Sequence, residues 1–132
     1  MMERCLTKEE FIQLCREPKR ESDEQEIQFY DISKERRVEE TGFISDGRPV
    51  YFAMLIESCG RYHLWTVYSE RVREKIRMYQ LAKNRVTAWA KKYQSVYSTM
   101  ERDYPECRRW VEKMGFKFVS EDTENIILRL EA

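Results

Sequence analysis

Glycine is scarce in this 132-residue chain, with four in all and none between Gly60 and Gly115. That gap removes every glycine-rich phosphate loop from the middle of the sequence, a Walker loop included. Histidine is scarcer still, with His63 alone. The cysteines Cys5, Cys15, Cys59 and Cys107 are scattered, with no C-x-x-C pair among them. Neither a zinc site nor a disulfide framework is therefore expected, and no metal ligand set is assigned. No Ser/His/Asp or Cys/His spacing points to a nucleophile. No apolar run approaches the ~18 residues of a membrane helix, and the opening Met-Met-Glu-Arg-Cys lacks the apolar core of a signal peptide. The expectation is a soluble protein made in a reducing cytoplasm, which leaves room for later packaging into a particle.

What is present suits a globular chain: 42% hydrophobic and 13% aromatic residues, at a length expected to form one domain over residues 1–132. Net charge is zero, but residues 51–100 hold nine basic against three acidic side chains, so the middle of the chain is its basic part. Such a segment is either a solvated helix face or a surface for an acidic partner.

Thr7 with Glu10 three residues on forms a capping box, and Phe11, Leu14 and Cys15 share one face of a first helix ended by Pro18. A second helix is predicted from Ser22 or Asp23, with Ile27, Tyr30, Ile32 and Val38 as its stripe and Gly42 closing a helical hairpin over about 7–41. From residue 43 the pattern changes. Asp46-Gly47 marks a hairpin turn, and Val50 to Ile56 is an apolar run typical of a strand buried on both faces. Tyr62 to Tyr68 alternates as a strand and leads into a long basic helix predicted from Ser69 to about Tyr93. Its basic first turn opposes the helix dipole unless an anion is near. Ser95 to Met100 is β-rich, which makes a βαβ unit with parallel neighbouring strands. A short helix follows, with Pro105 in its first turn and Gly115 at its C-cap. Phe116–Val119 and Ile126–Leu130 close the chain as a hairpin.

This order of elements, together with the Glu112-Lys113-Met114-Gly115-Phe116 junction, resembles the GNAT acetyltransferase fold over residues 43–131. The resemblance implies an α/β (α+β) architecture with a central mixed, mainly antiparallel sheet and helices on both faces. Within that superfamily the chain looks most like the internal virion protein A family of podoviruses. The likeness is carried by Trp65-Thr66-Val67-Tyr68-Ser69, by the Arg/Lys/Tyr-rich helix from Arg71, and by the stretch from Arg108 to Val119.

In an active enzyme of the GNAT fold, an Arg/Gln-x-x-Gly-x-Gly/Ala loop holds the cofactor diphosphate on backbone N–H groups. Setting Val67 on the family's strand valine puts Val72 in the Arg/Gln slot and Lys75 and Arg77 in the glycine slots. Val67, Ser69, Arg71, Val72, Arg73 and Lys75 are therefore the candidate cofactor contacts, with charge in place of close main-chain approach. The family's general-acid tyrosine falls on Val111, which has no proton to donate, and its helix-start asparagine falls near Tyr104. His63, Glu57 and Tyr104 are the remaining candidates for proton transfer. These departures lead to the expectation of a catalytically degenerate phage protein that acts by binding other phage or virion proteins, in the host cytoplasm or packaged in the virion, with no cofactor. The alternative is an acetyl-CoA-dependent N-acetyltransferase with an atypical loop. A third reading, a nucleic-acid-binding accessory protein stacking bases on Tyr79, Trp89 or Tyr93, is disfavoured by net neutrality and by the core spacing of Trp89 and Tyr93.

Overall fold

Strand β3 (Arg48–Ser58) carries the apolar run, and from Tyr51 to Leu55 every residue is fully buried. A computed structural model describes residues 1–17, 23–102 and 105–132. Among them the elements run β1 (Met2–Arg4), α1 (Lys8–Cys15), α2 (Asp23–Ile32), a 3-10 turn, β2 (Arg37–Ser45), β3, β4 (Arg61–Tyr68), α3 (Lys75–Tyr93), β5 (Ser95–Glu101), α4 (Pro105–Lys113), β6 (Lys117–Glu121) and β7 (Asn125–Glu131). Seven strands form one mixed, mostly antiparallel sheet in the order β1-β2-β3-β4-β5-β7-β6. The chain divides into two compact units, residues 1–56 with 65–79, and residues 57–64 with 80–132.

In the first unit, α1 and α2 lie on the face of β3 that carries Phe52, Met54 and Ile56. Phe11 stacks on Tyr30 at 4.3 Å and meets Phe52 edge-on at 4.9 Å between ring centres. The capping box forms as expected: Glu10 N–H donates to Thr7 Oγ1 at 3.2 Å, and Thr7 N–H donates to Glu10 Oε1 at 2.9 Å. Arg4 clamps the same carboxylate with two bonds of 2.8 and 2.6 Å. That clamp and the Thr7 N–H hold the Glu10 carboxyl down to about 2.

The helical hairpin predicted over 7–41 stops sooner. Helix α2 ends at Ile32, Val38 lies in β2, and Gly42 sits mid-strand instead of closing a helix. Arg37 accounts for the stop. Its guanidinium donates to the Tyr30 carbonyl at 2.6 Å, pairs with Glu40 at 3.1 Å and lies 4.4 Å over the Tyr30 ring, which turns the chain at the helix end. The expected Ser22 start and Pro18 stop lie outside the described residues. Strand β1, absent from the sequence reading, pairs Arg4 with Gly42, and a Cβ built on Gly42 would lie 2.6 Å from Leu6 Cδ2. Gly42 is thus a close-approach residue. The Asp46-Gly47 turn appears with φ of +53° and +74°, the left-handed pair that two-residue type I′ hairpins require, and Cys59-Gly60 repeats it at +54° and +76°.

In the second unit, His63 of β4 pairs in parallel with Tyr97 of β5, as the βαβ reading predicts. Strand β7 then inserts antiparallel between β5 and β6. Leu64, Val86, Trp89, Val96, Val111, Met114 and Leu128 are buried. Helix α4 starts at Pro105 and ends in a Schellman motif. Gly115 N–H donates to the Glu112 carbonyl at 3.0 Å and Phe116 N–H to the Val111 carbonyl at 3.2 Å, with Gly115 at φ +108°. Val111 and Phe116, the pair that packs in this motif, are both buried.

Because Leu6 is itself buried, Gly42→Ala is expected to destabilise the protein by about 1–3 kcal/mol, the range for overpacking a well-filled site. A lowered urea midpoint at unchanged m-value is the expected result, and an unchanged midpoint would contradict the close approach.

Candidate functional site

Helix α3 begins at Lys75, six residues later than the sequence suggests. Ser69 is the reason. Its N–H donates to the Val50 carbonyl at 2.8 Å, tying the end of β4 to β3, and its hydroxyl accepts the Arg71 N–H at 3.2 Å. A serine hydroxyl bonded two residues ahead holds the chain in a turn and competes with helix formation. Residues 69–74 are consequently a loop that delivers β4 to the α3 N-terminus.

Within this loop the burial alternates. Val72 is buried, whereas Glu70, Arg71 and Arg73 are exposed. The Met78 N–H donates to the Glu74 carbonyl at 2.9 Å. By helix geometry the N–H groups of Lys75, Ile76 and Arg77 then have no acceptor inside the helix. The first turn of α3 carries no acidic residue, so nothing on the helix itself complements its positive end.

A cavity of about 260 Å³ lies between the loop and the β2–β3 hairpin, lined by Ser69, Arg71, Val72, Arg73, Arg48 and Asp46 among others. Arg48 is paired with Glu17 at 2.9 Å. Among the described residues Arg71, Arg73 and Lys75 make no ion pair, which leaves a local excess of positive charge at the mouth of the helix. The sequence reading missed Arg48. Its signal was the Asp46-Gly47 turn, since an antiparallel β3–β4 pair sets that hairpin beside the end of β4.

Ser69, Arg71, Val72 and Arg73 therefore meet around one cavity, and Lys75 opens the helix that follows. Val67 does not join them, because its side chain is packed in the apolar cluster with Phe11 and Phe52. A diphosphate suits this place by charge and by the first-turn N–H groups. The main chain suits it less. Arg71 N–H is already engaged by Ser69, and Lys75 and Arg77 place Cβ atoms where the family motif has glycine, while the buried Val72 side chain offers no donor in its slot.

The proton-transfer candidates lie elsewhere. In the second unit His63 is half-buried, 6.0 Å between ring centres from Tyr97. Burial lowers its pKa below the ordinary 6.5 and the Arg61 charge lowers it further, while a backbone hydrogen bond at Ser58 opposes them. The shift favours the neutral imidazole. Glu57 is exposed near the end of β3. Tyr104 lies outside the described residues, and Val111 is a buried packing residue. Among the described residues no three His, Cys, Asp or Glu side chains group to hold a metal ion, and no helix is long and apolar enough to cross a membrane.

His63 in the folded protein is expected to titrate below 6.5. A group whose folded pKa is depressed by burial protonates more readily when unfolded, so its contribution to stability is full above about pH 6.5 and falls as pH drops below it. An NMR titration of the imidazole checks the first point. In Arg61→Gln the pKa is expected to rise, and an unchanged value would remove Arg61 as a cause.

No family model matches the chain, and no curated protein sequence matches it. Solved structures do. An N-acetyltransferase from Staphylococcus aureus Mu50 superposes with a TM-score of 0.68 at 16% identity, covering 98% of this chain and 97% of its own. The ribosomal-protein-S18-alanine N-acetyltransferase of Escherichia coli gives 0.72 at 13% identity, with 98% and 92% covered. The PaiA N-acetyltransferase of Thermoplasma acidophilum, solved with coenzyme A, gives 0.67 at 16% identity, with 99% and 98% covered.

Proposed function

We propose that this chain, which has the fold of the GNAT N-acetyltransferases, is an acyl-coenzyme A-dependent N-acyltransferase with an atypical, charge-based diphosphate loop. The observation that carries the reading is the junction of β4, loop 69–74 and α3, where Arg71, Arg73 and Lys75 form no ion pair among the described residues and outnumber Glu70 and Glu74 beside the N-terminus of a helix. A coenzyme A-bound neighbour of the same fold supports it.

Bound there, an acyl-coenzyme A would supply a thioester whose C–S bond breaks as the amine nitrogen bonds the acyl carbon, releasing coenzyme A as the thiol with the proton the amine gives up. Arg71, Arg73 and Lys75 hold the diphosphate by charge-assisted contacts, and the N–H groups of residues 75–77 point at the same anion. With no glycine to admit the main chain closely, affinity rests on these side chains and falls as salt screens them.

A second reading keeps the fold and drops the coenzyme: a phage virion-associated or assembly factor acting by binding partner proteins. It is favoured by Val111, buried where the resemblance puts the acid tyrosine, and by the Cβ-bearing residues in the glycine slots. The acetyltransferases that the chain resembles weigh toward the first reading.

Calorimetry with acetyl-CoA separates the two. Stoichiometric binding is expected, weakened about tenfold or more in the Arg71→Ala/Arg73→Ala double variant, on the scale of charge-assisted hydrogen bonds. Absence of binding at millimolar acetyl-CoA in low salt would leave the binding-only reading.

A further inference from the structure

Across the strands of the second unit, three pairings fall in one line. His63 of β4 stands opposite Tyr97 of β5, Tyr97 opposite Arg129 of β7, and Arg129 opposite Lys117 of β6. Directly paired residues project from the same face of a sheet, and Arg61, two residues before His63, projects with them. The alternate residues Leu64, Val96, Leu128 and Leu130 are buried in the core. The row itself is different in kind: Arg61 and Lys117 are exposed, and His63 and Arg129 half-buried.

Tyr97 organises the cations. The Arg61 guanidinium lies 4.6 Å above its ring, and the Arg129 guanidinium lies 6.0 Å from the same centre. Beyond them, a cavity of about 160 Å³ is lined by Lys117, Arg129 and Glu131 among others. Glu131 pairs with Arg129 at 3.0 Å, while Arg61 and Lys117 make no ion pair among the described residues. Lys117 directly opposite Arg129 is a like-charge cross-strand pair, and Glu131 offsets only one of the row's cations Arg61, Arg129 and Lys117.

We propose that this row is an oxyanion site, taking the carboxylate or phosphate group of a small ligand. Its geometry suits a compact anion better than a nucleic acid. Tyr97 is 8% exposed and covered by guanidinium groups, so it offers no open ring for a base. Guanidinium groups held on a ring are also pre-organised to fork onto planar oxyanions.

The chain's single histidine gives one imidazole signal, which serves as the reporter. At constant ionic strength the protein is titrated by NMR with glutamate, with inorganic phosphate and with cadaverine, a diamine without an acid. Saturable shifts of the His63 signal with glutamate or phosphate, and none with cadaverine, are expected. A response to glutamate alone assigns a carboxylate, and to phosphate alone a phosphate ester. Arg61→Gln and Lys117→Gln, both surface changes, are each expected to weaken binding by about tenfold. Two results would overturn the site: no saturable shift with either anion, or equal shifts in the protein carrying both Arg61→Gln and Lys117→Gln. Acetyl-CoA calorimetry run alongside keeps the two readings apart, since anion shifts without acetyl-CoA binding retain the row and remove the transferase. Acetyl-CoA turnover of cadaverine without anion shifts does the reverse.

Discussion

A single serine sets the geometry on which the proposed site depends. With its N–H bonded to Val50 and its hydroxyl to Arg71, Ser69 locks the end of β4 against β3 and keeps the next residues out of the helix. Without that turn the basic segment would continue as helix and spread its charges around a cylinder. With it, Arg71 and Arg73 line one cavity and Lys75 opens α3. The site is thus made by a local hydrogen-bond competition that a polar side chain wins at a strand end.

Charge and close approach are alternative ways to hold a diphosphate, and the proposed site relies on charge. Glycine lets the main chain reach the anion; arginine and lysine reach it from a distance and tolerate a looser fit. The loop here has cations that form no ion pair among the described residues and lacks glycine, and Val72 is buried as a packing residue. The same trade recurs in α4. Val111 stands where a catalytic phenol is expected by resemblance, and its carbonyl and side chain instead complete the Schellman stop with Phe116.

Much of the scaffold could be read from local signals. The capping box of α1, the Asp46-Gly47 turn, Pro105 and Gly115 at the ends of α4, and the parallel β4–β5 pair all appear as expected. These signals act over a few residues, so they survive in the linear chain. The readings that changed were the end of α2, the start of α3 and the role of Gly42. Arg37 reaching back to Tyr30, Ser69 reaching Val50, and Leu6 pressing on Gly42 each join segments whose proximity no periodicity encodes.

By itself the sequence determined the class of fold, the basic character of the middle segment and the absence of a glycine loop, because composition and short-range spacing carry those facts. The tertiary structure alone decided which charges share a surface. Arg48 beside Arg71, and His63, Tyr97, Arg129 and Lys117 in one row, come together through strand pairing. Register is fixed by which faces can be buried, and that is a property of the whole sheet rather than of any one strand.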